Sequence, residues 1–122
     1  MIDTYNIRFY KNNTRIAPAR LDAADARLFY RQLQSLMRTY ESRYGENLNE
    51  ASILIVVDGR PIYRRRSRLN SNGVETVQDL MDYLGMDPAN KPKHIFANNI
   101  IVTSLDIKLS EIYVLQFYTN SK

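Results

Sequence analysis

Cysteine is absent from this 122-residue chain, and so is tryptophan. Without cysteine there is no disulfide, no thiolate nucleophile and no thiolate metal site. Histidine is nearly absent too: His94 stands alone, so no imidazole pair can hold a metal within one chain. In "KPKHIF" it reads as a surface or structural residue at the start of a strand. Glycine and proline number four each, too few to advertise a long linker. The glycines are isolated at 45, 59, 73 and 85. A phosphate-cradling loop needs them close together, so that backbone amides can approach the anion. No G-x-S-x-G nucleophile elbow occurs. These absences predict a non-enzymatic protein with no catalytic residue, no metal and no small-molecule cofactor.

No apolar run approaches the roughly 18 residues of a membrane span, and no membrane partner is expected. The opening "MIDTYNIRFYKNN" lacks the basic-then-apolar order of a signal peptide, which makes a cytoplasmic location the expectation. Length predicts a single globular domain over residues 1–122. With 44% hydrophobic and 25% charged residues the composition is that of a folded protein.

What the chain does have is unevenly placed charge. The net charge is +4 and the pI about 9.4. All 12 arginines lie within the first 68 residues. Residues 1–74 hold 13 cations against 7 anions, a balance of +6, and residues 75–122 hold 4 against 6, a balance of −2. A positive region and a mildly negative one suit an anionic partner, and equally head-to-tail self-association.

Alternation over "DTYNIRFY", residues 3–10, predicts a strand with Tyr5, Ile7 and Phe9 on one face and Asn6, Arg8 and Tyr10 on the other. "KNNTR" predicts a turn. "LDAADARLFYRQLQSLMRTYESRYG" predicts the longest helix, with Asp22 as N-cap and Gly45 as its stop. Ala26, Phe29, Leu33, Leu36, Met37, Tyr40 and Tyr44 gather on its apolar face. Arg27, Arg31 and Arg38 fall within about 40° of one another on the opposite side, and Arg20 continues that stripe if the helix extends backward.

"SILIVVDGRPIYRRR" predicts a hairpin turning at Asp58-Gly59. Its first arm, Ile53 to Val57, is continuously apolar and so buried. The second arm carries Pro61 and repeated arginine, both suited to a sheet edge. "NSNGVETVQDLMDYLG" predicts a second helix with Asn72 as N-cap, Gly85 as its stop and Glu75, Asp79 and Asp82 as an acidic solvated face. After the proline-bearing loop "MDPANKPK" come two strands, "HIFANNIIVT" and "EIYVLQFYT". Asn98-Asn99 is a bulge or tight turn in the first of them.

The fold class is therefore α+β. The element order β-α-β-β-α-β-β is that of a split β-α-β, ferredoxin-like sandwich with one strand added. It would pack two helices on one face of a mostly antiparallel sheet.

Arginine with interleaved tyrosine points to nucleic acid, DNA or RNA, because guanidinium groups neutralise phosphate and rings stack on bases. The candidate binding residues are Arg8, Tyr10, Arg60, Tyr63, Arg64, Arg65, Arg66 and Arg68, together with the helix stripe Arg27, Arg31 and Arg38. In the ferredoxin-like order the first and third strands are central, so Arg8 and Tyr10 would share an open face with part of 63–66. That geometry is similar to an RNA-recognition sheet, although "PIYRRRSR" lacks that family's glycine-aromatic signature. Strand alternation limits the patch: at most two of Arg64, Arg65 and Arg66 can share one face. The alternative function is a protein-interaction module or homodimer, using an outer aromatic face of "EIYVLQFYT".

Overall fold

The computed structural model describes residues 2–86 and 92–119. Among them the chain is α+β, with three α-helices and mostly antiparallel sheets that do not close into a barrel. It divides into two compact units, Met1–Ser52 and Ile53–Lys122.

The first unit contains β1 (Asp3–Ile7), β2 (Phe9–Lys11), β3 (Thr14–Arg15), β4 (Ala19–Ala23), α1 (Ala26–Tyr44) and β5 (Asn49–Glu50). The strand expected over 3–10 is broken at Arg8. β1 pairs antiparallel with β4, placing Tyr5 opposite Leu21, whereas β2 pairs with β3 and β5. The "KNNTR" turn closes the β2–β3 hairpin, with Asn12 and Asn13 both at positive φ (50° and 64°), a conformation asparagine tolerates.

Helix α1 starts later than its sequence suggests. Asp25 is the N-cap, its carboxylate accepting from the Leu28 amide at 2.8 Å. Asp22 is unavailable because Leu21 and Ala23 are spent on β4, buried against the core. The Asp22 carboxylate instead accepts the Thr4 hydroxyl across the strand pair at 2.7 Å. Arg20 likewise belongs to β4 and ion-pairs with Asp22 at 3.6 Å, so it does not extend the helix stripe. The apolar face of α1 meets the strands as expected: Phe29 and Leu33 are fully buried, with the Phe29 ring edge-on to Tyr5 at 4.8 Å. The Gly45 amide donates to the Glu41 carbonyl, and Lys11 Nζ donates to Tyr44 O at 2.6 Å, satisfying the helix end.

The second unit is built on a five-stranded sheet of β6 (Ser52–Val57), β7 (Arg60–Arg65), β8 (His94–Ala97), β9 (Ile100–Ile101) and β10 (Val114–Tyr118). Strand β6 begins on the last residue of the first unit. The strand order is β7-β6-β10-β8-β9, with β10 parallel to β6 and antiparallel to β8. The Asp58-Gly59 hairpin forms as expected, both residues at positive φ (48° and 83°) as a type I′ turn requires. The Asp58 carboxylate also accepts from the Thr119 amide at 2.8 Å and hydroxyl at 2.5 Å, tying the turn to the end of β10. Asn98-Asn99 is a second tight turn, between β8 and β9, again with two positive φ values.

Helices α2 (Arg66–Ser71) and α3 (Val77–Tyr83) cover one face of this sheet. Ile53, Ile55, Leu115 and Phe117 from the strands form one core with Leu69, Val77, Leu80 and Met81 from the helices. At about 25 cal/mol per Å² of apolar surface, each large side chain sealed here contributes about 2 kcal/mol.

Three expectations fail in this unit for local reasons. Arg66 opens a helix instead of continuing β7. Asn72 caps the C-terminus of α2 and does not start the next helix. The Val74 amide donates to Leu69 O and the Gly73 amide to Asn70 O, a Schellman closure with Gly73 at φ 74°. The N-cap of α3 is Thr76, which forms a capping box with Asp79.

The ferredoxin-like β-α-β-β-α-β-β order is therefore not what forms. Residues 3–23 make four short strands, and β1 and β2 join separate two- and three-stranded sheets instead of the sheet that holds β7. Most of the expected proline-bearing loop, residues 87–91, lies outside the described residues.

Candidate anion-binding pocket

The sequence-selected arginines fall into two groups, one in each unit. Arg8, Tyr10, Arg27, Arg31 and Arg38 belong to the first. Arg8 and Tyr10 are half-buried around the β1–β2 break, where the Arg8 carbonyl accepts from the Ala51 amide. They share no sheet with residues 63–66, so the common open face expected for them does not exist. Arg27, Arg31 and Arg38 are exposed along α1. A pocket of about 390 Å³ in this unit is lined by Arg20, Leu21, Asp22, Gln32, Ser35, Leu36 and Thr39, and by none of the three.

Arg60, Tyr63, Arg64, Arg65, Arg66 and Arg68 belong to the second unit. Here the backbone changes periodicity inside the arginine run. β7 is an edge strand, and its extended conformation ends at Arg65. From Arg66 the chain turns as a helix, so the two-sided alternation of a strand stops applying after one arginine pair. Ser67 and Arg68 then lie four and three residues before Ser71, on the same side of α2. Tyr63, Arg64, Arg65, Ser67, Arg68 and Ser71 consequently line one half-open pocket of about 540 Å³.

Arg64, Arg65 and Arg68 are exposed, and none is ion-paired with a described residue. Three uncompensated guanidinium groups around one concavity make a strongly positive field that a shared anion would relieve. Arg60, at the far end of β7, is exposed but does not line the pocket.

Arg66 has a different duty. Its guanidinium donates to the carbonyls of Leu109, the first residue of the 3₁₀ turn Leu109–Glu111, and Ile112, the residue after it. It also lies 5.5 Å from the centroid of the Tyr113 ring, a cation–π distance. Its bonding capacity therefore goes into holding the first turn of α2 against the chain that leads into β10. Sequence alone cannot separate Arg66 from Arg64 and Arg65, because the three are consecutive and identical.

Asp79 and Asp58 have structural duties. Asp79 Oδ2 accepts from the amides of Glu75 and Thr76, which lowers its pKa below the usual carboxylate value. Asp58 is lowered too, first by the Thr119 hydroxyl, then by the Thr119 amide, with Arg60 adding to it. Among the described residues no group of three or more His, Cys, Asp and Glu could hold a metal ion. No helix among them is long and apolar enough to cross a membrane. His94 is exposed at the start of β8. β10 occupies the middle of its sheet with Val114 to Phe117 all buried, while Tyr113 and Tyr118 at its ends are half-buried. No protein-family model matches the chain, and no curated protein or solved structure matches it either.

Proposed function

We propose that this protein is a non-enzymatic binding module for a single-stranded nucleic acid, held through the pocket of Arg64, Arg65 and Arg68. The observation that carries this reading is the meeting of three guanidinium groups, without a described anionic partner, around one concavity that also includes a tyrosine ring. Phosphate oxygens accept the paired donors of guanidinium forks. A tyrosine at the rim supports base stacking, which accepts any base because every base has a π-face. An edge strand turning into a short helix leaves the exposed Arg64, Arg65 and Arg68 accessible to a single strand, whose bases are not already paired.

The test is a titration of a fluorescent single-stranded oligonucleotide, DNA and RNA separately, at a series of salt concentrations. Affinity should fall as salt rises, with a log–log slope of about −0.7 for each phosphate neutralised. Failure to bind either strand at low salt overturns the reading.

A further inference from the structure

We infer that the pocket takes a terminal phosphate, a phosphomonoester at the end of a strand, in preference to an internal phosphodiester. The inference rests on the nucleic-acid reading above and concerns the same residues. All six lining residues come from the stretch 63–71. Arg64, Arg65 and Arg68 line one concavity, and Arg60, earlier on the same strand, stands outside it.

An internal phosphodiester offers one negative charge to such a site. A phosphomonoester brings a charge of about −1.5 to −2 at neutral pH and three strong acceptor oxygens. Three forked guanidinium groups match that acceptor set better than they match a diester. The hydroxyls add to the distinction. Ser71 Oγ donates its proton to the Arg68 carbonyl at 2.9 Å, which leaves Ser67 as the hydroxyl on the pocket wall available to donate. Tyr63, at the strand side of the pocket, supplies a ring for the terminal base, which has a free face that an internal base lacks.

The experiment compares oligonucleotides of one sequence carrying a 5′-phosphate, a 3′-phosphate, or hydroxyls at both ends, with a phosphoserine peptide as a further probe. At least one phosphorylated oligonucleotide should bind tenfold or more tightly than the unphosphorylated one. Arg68→Ala should remove that preference while leaving the circular dichroism spectrum unchanged. Equal binding of all three oligonucleotides overturns the inference and leaves the nucleic-acid reading standing. Binding of none overturns both. A phosphoserine peptide bound as tightly as the best oligonucleotide also overturns it, by assigning the pocket to a phosphoprotein.

Discussion

Two arginine triplets in this protein look alike by composition and differ by shape. Arg27, Arg31 and Arg38 share one side of α1, and Arg64, Arg65 and Arg68 surround one pocket. All six are exposed, and none is ion-paired with a described residue. On a regular helix side, guanidinium groups diverge into solvent and each is solvated separately. At the junction of β7 and α2 three of them line one pocket. What marks a candidate site is therefore the break in backbone periodicity rather than the number of cations.

The largest effect should come from emptying the pocket. Arg64→Ala, Arg65→Ala and Arg68→Ala combined should weaken oligonucleotide binding about 100-fold, about 2.7 kcal/mol, and bring the salt slope close to zero. Equilibrium titration at fixed salt, with circular dichroism to verify folding, measures this.

Next in size is Arg66→Ala, which sharpens the contrast between neighbours. Removing a charged donor from two backbone carbonyls should cost about 2 kcal/mol of stability, read from urea denaturation. Arg68→Ala should cost under about 0.5 kcal/mol, as exposed substitutions do. Equal losses would contradict the division of labour within the run.

A smaller effect is expected from acid. Asp58 has a folded pKa below its unfolded value of about 3.9. The stability it contributes is present above that unfolded value and is lost as pH falls from about 4 toward the folded pKa. Asp58→Asn should therefore lower the melting temperature at pH 7 and flatten its decline between about pH 5 and 2. A variant melting curve that falls with pH as steeply as the wild type would speak against the Thr119 tether. The smallest effect belongs to the α1 triplet: Arg27→Ala, Arg31→Ala and Arg38→Ala together should change oligonucleotide affinity less than about threefold, under about 0.7 kcal/mol. If that variant binds as weakly as the pocket variant, the comparison collapses.

Much of the second unit was legible in the sequence. The five apolar residues Ile53 to Val57 required burial, Asp58-Gly59 required a tight turn, and arginine with Pro61 required an edge. The misreadings share a cause: a cap residue does not state which helix it caps. Asn72-Gly73 suits an N-terminus as well as it suits a Schellman C-terminus, and only the Val74–Leu69 contact within the core decides between them. Asp22 was placed at the helix start for a related reason: nothing local shows that the chain is still a strand there, with Leu21 paired to Tyr5. The strands of residues 9–23 were hidden for another reason. They are two to five residues long, and their partners come from separate parts of the chain. Of the residues that line the pocket, Tyr63, Arg64, Arg65 and Arg68 were candidates from the sequence; Ser67 and Ser71 were not, because strand alternation was extended one residue too far, through Arg66.

The bonds made by Arg66 also set an order of events. Its carbonyl partners lie 43 and 46 residues further along the chain, and β6 pairs with β10 across a still longer separation, in the register Leu54↔Val114. Contacts so remote in sequence form late, after the entropy of closing a long loop has been met. A chain still being synthesised would expose its arginine run well before anything could orient α2. The pocket would then take shape only with the completed sheet, so that the unfinished polypeptide carries the charge without the pocket.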